Sequence, residues 1–464
     1  MGDTETIHFI GIGGAGMSAL AQLFLARGAH VTGSDAKDSP VLARLAAAGA
    51  TVHVGHAAAH VGAADRVVYS AAIPEENPER QEACRRHLPL LSRAQLLGEV
   101  LDQYTGIAIS GTHGKTTTTA MAAAIFLHAG ADPTVILGGD WDVIGGNVRV
   151  GGGKHCLAEA CEAFSSFLAL RPCYAAITNI DADHLEFHGS IEGVVEAFRR
   201  FLRQVRPEGT AVVCLDDPRV RDLAGNLPCK ALTYGVAAMD ADLRAINLDA
   251  SGPVARFRVS YRGKVLGSIR LGVPGRHNAS NALAAIGLAL TVGLPFDAAQ
   301  MALAQFRGVG RRFERLGEAN GVMVFDDYAH HPREIAATLA CARAAFPGRR
   351  LWAVFQPHLY SRTQLLMEEF AAALADADHV VITEIYAARE RPIAGVTGKA
   401  LAVAASRKHS GGENRVAFAP TLDEGVERLR TAVRPGDVVL VMGAGDIRAL
   451  GEKLVQALAN EAKN

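Results

Sequence analysis

Apolar and polar positions along the chain fall into alternating short and long runs. Ile7–Ile10 is a compact apolar stretch of strand type, followed by the glycine turn Gly11–Gly16 and an apolar helical run from Met17 to Arg27 that Gly28 stops. Ala29–Thr32 repeats the strand signal, and Ser34-Asp35 closes it. The same rhythm continues to about Tyr104. It resumes with Thr105–Ser110, the turn Gly111–Gly114 and the helical run Ala120–Leu127. Ala175–Asn179 and Ala211–Cys214 read as strands around a helix Val194–Arg203. Val254–Tyr261 alternates at period two, which predicts an antiparallel strand, and Ser280–Thr291 predicts a helix. A third block carries strand signals at Met323–Asp326, Leu351–Phe355, His379–Thr383 and Asp437–Met442, with helical runs between them. Strands alternating with helices predict parallel α/β sheets. A chain of 464 residues is too long for one core. The pattern therefore predicts three α/β domains, at 1–105, 106–312 and 313–464.

Charge changes the picture by exclusion. Lys+Arg 47 against Asp+Glu 48 leaves a formal net charge of −1, so nothing marks a nucleic-acid or membrane-surface partner. The longest apolar stretch, Ala282 to Phe296, is interrupted by Thr291 and glycine and predicts a buried helix, not a membrane span. The 7 cysteines are dispersed from Cys84 to Cys341 without a Cys-x-x-Cys, the pattern of reduced thiols. The first residues are acidic (Asp3, Glu5) and lack the basic and apolar run of a secretory leader. Together these predict a cytoplasmic protein. Met1-Gly2 with Thr6 matches a myristoylation pattern, but a strand beginning at Ile7 makes the match coincidental.

The chemistry is concentrated at strand ends. Gly111-Thr112-His113-Gly114-Lys115-Thr116-Thr117-Thr118 joins a strand signal to a helix signal. Backbone N–H groups at such a turn converge on a phosphate. Lys115 reaches the β/γ oxygens, and the Thr116 hydroxyl can hold Mg²⁺. Position 109, a glycine in the longer P-loop pattern, is Ile, so the match is to the Gly-Lys-Thr half with a shortened loop.

Gly11-x-Gly13-x-x-Gly16, with Asp35 ending the next strand, has the layout of a dinucleotide turn. It fits NAD, FAD or a nucleotide sugar equally, and also a tight turn without a ligand. Glu159-Ala-Cys161-Glu162 and Asn179-Ile-Asp181-Ala-Asp183-His184 follow strand signals in the same domain as Lys115. Carboxylates beside a threonine hydroxyl suit Mg²⁺; Asp181 suits a turn cap as well as a site. Gly275-Arg276-His277-Asn278-x-x-Asn281 precedes an alanine-rich helix, and its amides either cap that helix or read adenine. Asp326-Asp327-Tyr328-Ala-His330-His331 and Phe355-Gln-Pro-His358-Leu359-Tyr360-Ser361-Arg362 are too polar for core strands, and Arg362 offers a bidentate clamp for a carboxylate.

These strings, in this order, resemble the Mur ligases, ATP-dependent enzymes that build the peptide stem of bacterial peptidoglycan. The resemblance spans nearly the whole chain and looks most like the branch that joins L-alanine to UDP-N-acetylmuramate. It implies a Rossmann-like N-terminal domain for the UDP-sugar, a P-loop ATPase-like central domain for ATP and a Rossmann-like C-terminal domain for the amino acid, and that the first glycine turn holds UDP, with Gly11, Gly13, Gly14, Gly16, Ser34, Asp35 and Ser70 on the sugar nucleotide. It implies ATP on Gly111, Thr112, His113, Gly114, Lys115, Thr116 and Thr117, with Arg312, and adenine on His277 and Asn281. Thr116, Glu159 and His184 would hold magnesium. Tyr328, His330 and Arg362 would handle the amino acid, and Lys115, His184 and His330 would be catalytic. Two positions depart from the family pattern: Cys161, where many relatives are acidic, and Leu359, where relatives of the alanine-adding branch often have arginine. The oligomeric state, monomer or dimer, stays open. The rival readings are a murein-recycling peptide ligase, a dehydrogenase resting on Gly11–Gly16 alone, and an ATP-driven switch.

Overall fold

A computed structural model of the chain describes residues 5–388, 390–410 and 415–461, with the Glu186 side chain left aside. Met1, Gly2 and Asp3, which bear on the leader and myristoylation readings, lie outside the described residues. The described chain forms three sheets. The first holds β1 (Thr6–Ile10), β2 (His30–Asp35), β3 (Thr51–Val54), β4 (Arg66–Tyr69) and β5 (Leu90–Ser92) in the order 3-2-1-4-5. Its pairings are all parallel.

The second sheet has ten strands: β6 (Thr105–Ser110), β7 (Thr134–Trp141), β8 (Gly146–Arg149), β9 (His155–Glu159), β10 (Tyr174–Ile177), β11 (Thr210–Cys214), β12 (Lys230–Gly235), β13 (Leu243–Asp249), β14 (Ala255–Tyr261) and β15 (Lys264–Leu271). Their order is 15-14-13-12-11-10-6-9-7-8. The central strands β9, β6, β10, β11 and β12 are parallel neighbours, while β8 pairs antiparallel with β7. The two-residue turn Arg262-Gly263, at φ 48° and 81°, joins β14 to β15. Such a turn makes a hairpin, so these two strands run antiparallel.

The third sheet holds β16 (Glu314–Ala319), β17 (Val322–Asp327), β18 (Leu351–Phe355), β19 (His379–Thr383), β20 (Val416–Ala419) and β21 (Val438–Met442), in the order 16-17-21-18-19-20. The pattern led this block with Met323–Asp326; the structure puts β16 first, antiparallel to β17. Glu314–Ala319 escaped the pattern because its residues are mostly half-buried and include Gly317. A second correction falls at Ser280: the helix runs from Arg276 to Thr291, so His277 and Asn278 lie in its first turn and do not precede it.

Chain contacts divide the molecule into two compact units. The first takes Met1–Asn247, Phe257–Arg270 and Ala279–Phe306; the second takes Leu248–Arg256, Leu271–Asn278 and Arg307–Asn464. In the first unit one apolar cluster runs from Ile7, Phe9 and Leu20 through Ala108, Phe167 and Ile177 to Phe198, Phe201 and Val213. In the second, separate clusters around Phe355–Leu440 and around Val354–Val441 cover the two faces of the third sheet. Alternate residues of β18 and β21 point to opposite faces, which is why both strands read as unbroken apolar runs.

Phe167 ties the first core to the chemistry. It is fully buried, stacks on Phe201 with ring centroids 4.9 Å apart and meets Phe198 edge-on at 5.2 Å. Its N–H donates to the Cys161 carbonyl at 3.0 Å, fixing the segment that carries Glu159 and Glu162. Phe167→Ala is expected to destabilise the first unit by about 3–5 kcal/mol, the cost of a truncated core aromatic. Urea unfolding followed by tryptophan fluorescence of Trp141 measures it; a loss below about 1 kcal/mol contradicts the anchor.

Candidate active site

The turn between β6 and the helix Lys115–His128 is shaped by what its neighbours leave room for. Gly111 sits at φ +131°, and a Cβ there would lie 2.0 Å from Thr178 Oγ1. Gly114 sits at φ +83° with Asn281 Oδ1 2.6 Å from where a Cβ would be. Only glycine combines those angles with that lack of space. The end of β10, parallel to β6, then pins the turn. Asn179 Oδ1 accepts the His113 N–H at 2.8 Å, and Asn179 Nδ2 donates to the His113 carbonyl at 3.1 Å. Thr178 Oγ1 donates to the same carbonyl at 2.6 Å. The Thr112 N–H donates to the Asn179 carbonyl at 3.0 Å, and Thr112 Oγ1 accepts the Asp181 N–H at 2.8 Å. Asp181 Oδ2 lies 3.3 Å from His113 Nε2. Asp181 is thus built into the turn's support, the role that the sequence left open beside a site role.

Lys115 has its ammonium fully engaged. Nζ donates to the carbonyls of Gly111 (2.6 Å) and Thr112 (3.0 Å) and to both oxygens of Glu162 (2.8 and 3.0 Å). Burial disfavours the charge, but the adjacent Glu162 carboxylate outweighs it and lifts Lys115 above the usual lysine value. Lys115 therefore stays protonated throughout the neutral range. Glu162 was quoted in the sequence motif without a role; its buried carboxylate is the counter-charge that Lys115 requires. The available signal was the pairing of a buried lysine with the second acid of Glu159-x-x-Glu162.

Thr116 and Glu159, expected in one metal set, are in contact: Thr116 Oγ1 donates to Glu159 Oε2 at 3.0 Å. Glu159 Oε1 accepts the Gly138 N–H at 2.5 Å, and a Cβ on Gly138 would meet this carboxylate at 2.8 Å. A cradle of hard oxygens that a side chain would fill suits Mg²⁺. His184 begins the short helix Leu185–His188 at φ 54°. Its N–H donates to Asp183 Oδ1 at 2.9 Å, and its Nε2 lies 3.8 Å from Asp183 Oδ2. Thr117, Thr118 and Thr119 are buried in the helix, where Thr119 Oγ1 donates to the Lys115 carbonyl at 2.9 Å. His277 packs beside Gly275, and burial lowers its pKa to about 4, so its ring is neutral at pH 7.

The first glycine turn, also in the first unit, rests on the end of β2. The N–H groups of Gly11 (2.8 Å) and Ile12 (3.0 Å) donate to the Ser34 carbonyl, and that of Gly13 donates to Asp35 Oδ2 at 2.9 Å. Gly14 precedes the helix Ala15–Ala26, its N–H 3.3 Å from the Gly11 carbonyl. Gly16 faces the Arg93 guanidinium, which a Cβ would meet at 2.9 Å. Ser70 borders Gly11, its Cβ 3.2 Å from where a Gly11 Cβ would stand. The Ser34 side chain is fully buried and turned inward to Glu79 and His56.

In the second unit, Tyr328, His330 and Arg362 fall in one array. The Tyr328 ring lies beneath Arg311 and Arg312, at 4.9 and 5.0 Å, and meets His330 edge-on at 5.3 Å. His330 Nδ1 donates to the Tyr328 carbonyl at 2.9 Å, which assigns the proton to Nδ1. His358 stands 6.0 Å from His330, stacks on Tyr386 at 5.9 Å, and has Nδ1 3.4 Å from Arg362 Nη1. Tyr386 was missed because it lies after β19, away from any motif. Leu359 takes φ 72° and buries its side chain. Asp327 accepts the N–H groups of Phe313 and Ala329, both at 2.8 Å, and burial raises its pKa to about 6.

Three family models cover the chain in order: the Mur ligase family catalytic domain over residues 6–105, the Mur ligase middle domain over 109–289, and the Mur ligase glutamate ligase domain over 311–445. A UDP-N-acetylmuramate–L-alanine ligase of Pelotomaculum thermopropionicum is 48% identical over 457 residues, 98% of either chain. The chain belongs to the Mur ligase family. A ligase of the same name from Salinibacter ruber is 46% identical over 99% of this chain and 96% of its own. Among solved structures, the UDP-N-acetylmuramate–alanine ligase of Thermotoga maritima matches with a TM-score of 0.84 at 32% identity, covering 99% of this chain and 100% of that one. A murein peptide ligase of Psychrobacter arcticus matches at 0.72 and 28%, covering 98% and 99%.

Two substitutions test the turn. Lys115→Ala is expected to reduce turnover roughly 10²–10³-fold in a folded protein, the worth of one preorganised electrostatic contact. Asn179→Ala removes the two Asn179 clamps on His113 and is expected to weaken ATP binding by about tenfold, read by titration with a fluorescent ATP analogue. Unchanged ATP affinity in the second variant contradicts the clamp.

Proposed function

We propose that this chain is an ATP-dependent ligase that joins L-alanine to the carboxylate of UDP-N-acetylmuramate in peptidoglycan precursor synthesis. The observation that carries the reading is the near full-length likeness to alanine-adding ligases, joined to a phosphate turn whose lysine is held charged. We place the reaction in the cytoplasm, with ATP and the nucleotide sugar. No helix among the described residues is long and apolar enough to cross a membrane.

A carboxylate is a poor acyl donor because oxide would have to leave. Transfer of the γ-phosphoryl group of ATP to one carboxylate oxygen gives an acyl phosphate, from which phosphate leaves readily. The protein's part is positioning and charge neutralisation. The N–H groups at the start of the helix Lys115–His128 and the Lys115 ammonium are assigned to the transferring phosphoryl group, the Thr112 and His113 N–H groups being taken by Asn179, and Asn281 and His277 are assigned to adenine, with Arg312 also on the nucleotide. Thr116, Glu159 and His184 are the proposed holders of Mg²⁺, which when bound offsets the negative charge of the phosphates. The Gly11–Gly16 turn, with Asp35 and Ser70, holds the sugar nucleotide, and Ser34 supports that turn from behind. The Arg362 guanidinium, planar and not nucleophilic, clamps the amino-acid carboxylate. Tyr328 and His330 border the amine, and His330 is the nearby imidazole suited to take its proton.

Phosphate release from ATP is expected to require both UDP-N-acetylmuramate and L-alanine. Release without either substrate favours the switch reading, and ligation of a tripeptide in place of L-alanine favours the recycling reading. Arg362→Ala is expected to raise the KM for L-alanine roughly ten- to a hundredfold while the KM values for ATP and the sugar nucleotide stay within about twofold. An unchanged KM for L-alanine removes Arg362 from the clamp.

A further inference from the structure

The proposed reaction leaves unused the most polar buried cluster of the first sheet. Glu79, in the helix Pro78–Arg85, is fully buried although it carries a carboxylate. Its Oε2 accepts from Ser34 Oγ at 2.5 Å and lies 3.4 Å from His56 Nδ1 and 3.5 Å from His8 Nε2. Its Oε1 accepts the Ala57 N–H at 3.2 Å and faces His60 Nδ1 at 3.0 Å. His8 is itself held by Thr32 Oγ1 through Nδ1 at 2.8 Å, and His53 stacks on His60 at 4.1 Å. A carboxylate is not taken out of water without compensation, and here the compensation is a ring of donors from β2 and the segment after β3, with the His8 imidazole of β1 beside it.

With Glu79 as an acceptor, the geometry sets the direction of the protons around Ser34, His56 and His60. Burial opposes the charge of Glu79, yet the contacts with His8 and Ser34 outweigh it and bring the pKa down to about 2, so Glu79 is an ionised acceptor at neutral pH. Ser34 has one hydroxyl proton, and Glu79 takes it. His56 Nδ1, 2.9 Å from the same Oγ, must then donate to Ser34, and His60 Nδ1 must donate to Glu79. One carboxylate thereby sets the tautomers of His56 and His60, whose rings are partly exposed. It also locks the rotamer of Ser34, the residue whose carbonyl accepts the N–H groups of Gly11 and Ile12.

We propose that Glu79 is a positioning residue for the sugar nucleotide: acting through Ser34, whose hydroxyl His56 holds from the other side, it keeps the Gly11–Gly16 turn in its binding shape. It touches neither the ligand nor the reacting atoms. The inference rests on the assignment of that turn to the UDP-sugar.

The test is Glu79→Gln, which keeps the shape and replaces an acceptor-only group with one that also donates. The Kd for UDP-N-acetylmuramate, measured calorimetrically, is expected to rise about tenfold or more, with the KM for that substrate rising in parallel. The kcat at saturating sugar nucleotide and the KM for ATP should stay within about twofold. Glu79→Asp, which restores the charge, should recover part of the affinity. Ser34→Ala, which breaks the link without a charge change, should show the same split and serves if Glu79→Gln folds poorly. Nitrogen-15 spectra of the histidine rings should show Nδ1–H tautomers for His56 and His60 in the wild type and a changed pattern in Glu79→Gln. Unchanged Kd in both Glu79→Gln and Ser34→Ala overturns the proposal, as does a uniform loss of kcat and all KM values. Asp35→Ala separates the two layers: if it weakens sugar-nucleotide binding while the Glu79 and Ser34 variants do not, this inference alone fails. If none of the three affects that binding, the assignment of the turn fails with it.

Discussion

A buried ammonium needs a counter-charge, and much of the phosphate site follows from how Lys115 obtains one. Glu162 supplies it across two short contacts, and the carbonyls of Gly111 and Thr112 take what remains of the ammonium's donors. The lysine is therefore ordered before any nucleotide arrives. Removing one partner of a buried pair leaves the other charge uncompensated, which costs more than the pair itself contributes. The segment bearing Glu162 must accordingly be held firmly, and Phe167, packed against Phe198 and Phe201, does so from the core. Packing in the first unit and placement of charge at the turn are thus one problem. On the proposed assignment, a nucleotide phosphate arriving at Lys115 meets an ammonium whose charge Glu162 already balances.

The two glycine turns use one structural device. Each lies after a parallel strand, and each is shaped by the end of a neighbouring strand. Thr178 and Asn179 hold the turn after β6, while Ser34 and Asp35 hold the turn after β1. In both, side chains and carbonyls of the neighbour satisfy the loop's own polar groups and leave the helix N-terminus to face a phosphate.

The strand–helix alternation was legible because parallel strands buried on both faces read as unbroken apolar runs. Leu351–Phe355 and His379–Thr383 carry the same bounds in pattern and structure. Glu314–Ala319 was not legible, since an antiparallel strand of half-buried residues lacks that signature. The helix at Arg276 begins earlier than its apolar run because its first turn carries polar residues. Around the site, the contact between Thr116 and Glu159 follows from the pairing of β6, which leads into the helix bearing Thr116, with β9, which ends at Glu159. Glu162, Asn179, Glu79 and Tyr386 were not assigned roles, for a common reason: each acts on another residue of the protein, and such partnerships depend on which strands become neighbours. Sequence order does not state that β10 lies beside β6, or that Glu79 reaches Ser34 at the end of β2.

The mechanism makes one demand that atoms alone can answer. If the carboxylate of UDP-N-acetylmuramate is activated by phosphoryl transfer, one of its oxygens must leave in the inorganic phosphate when L-alanine attacks. The direct measurement uses sugar nucleotide labelled with oxygen-18 in that carboxylate, with ATP and L-alanine, and reads the label in phosphate by mass spectrometry. The account predicts one labelled oxygen in each phosphate released from fully labelled substrate, in step with amide formation. Unlabelled phosphate formed alongside the amide would contradict it.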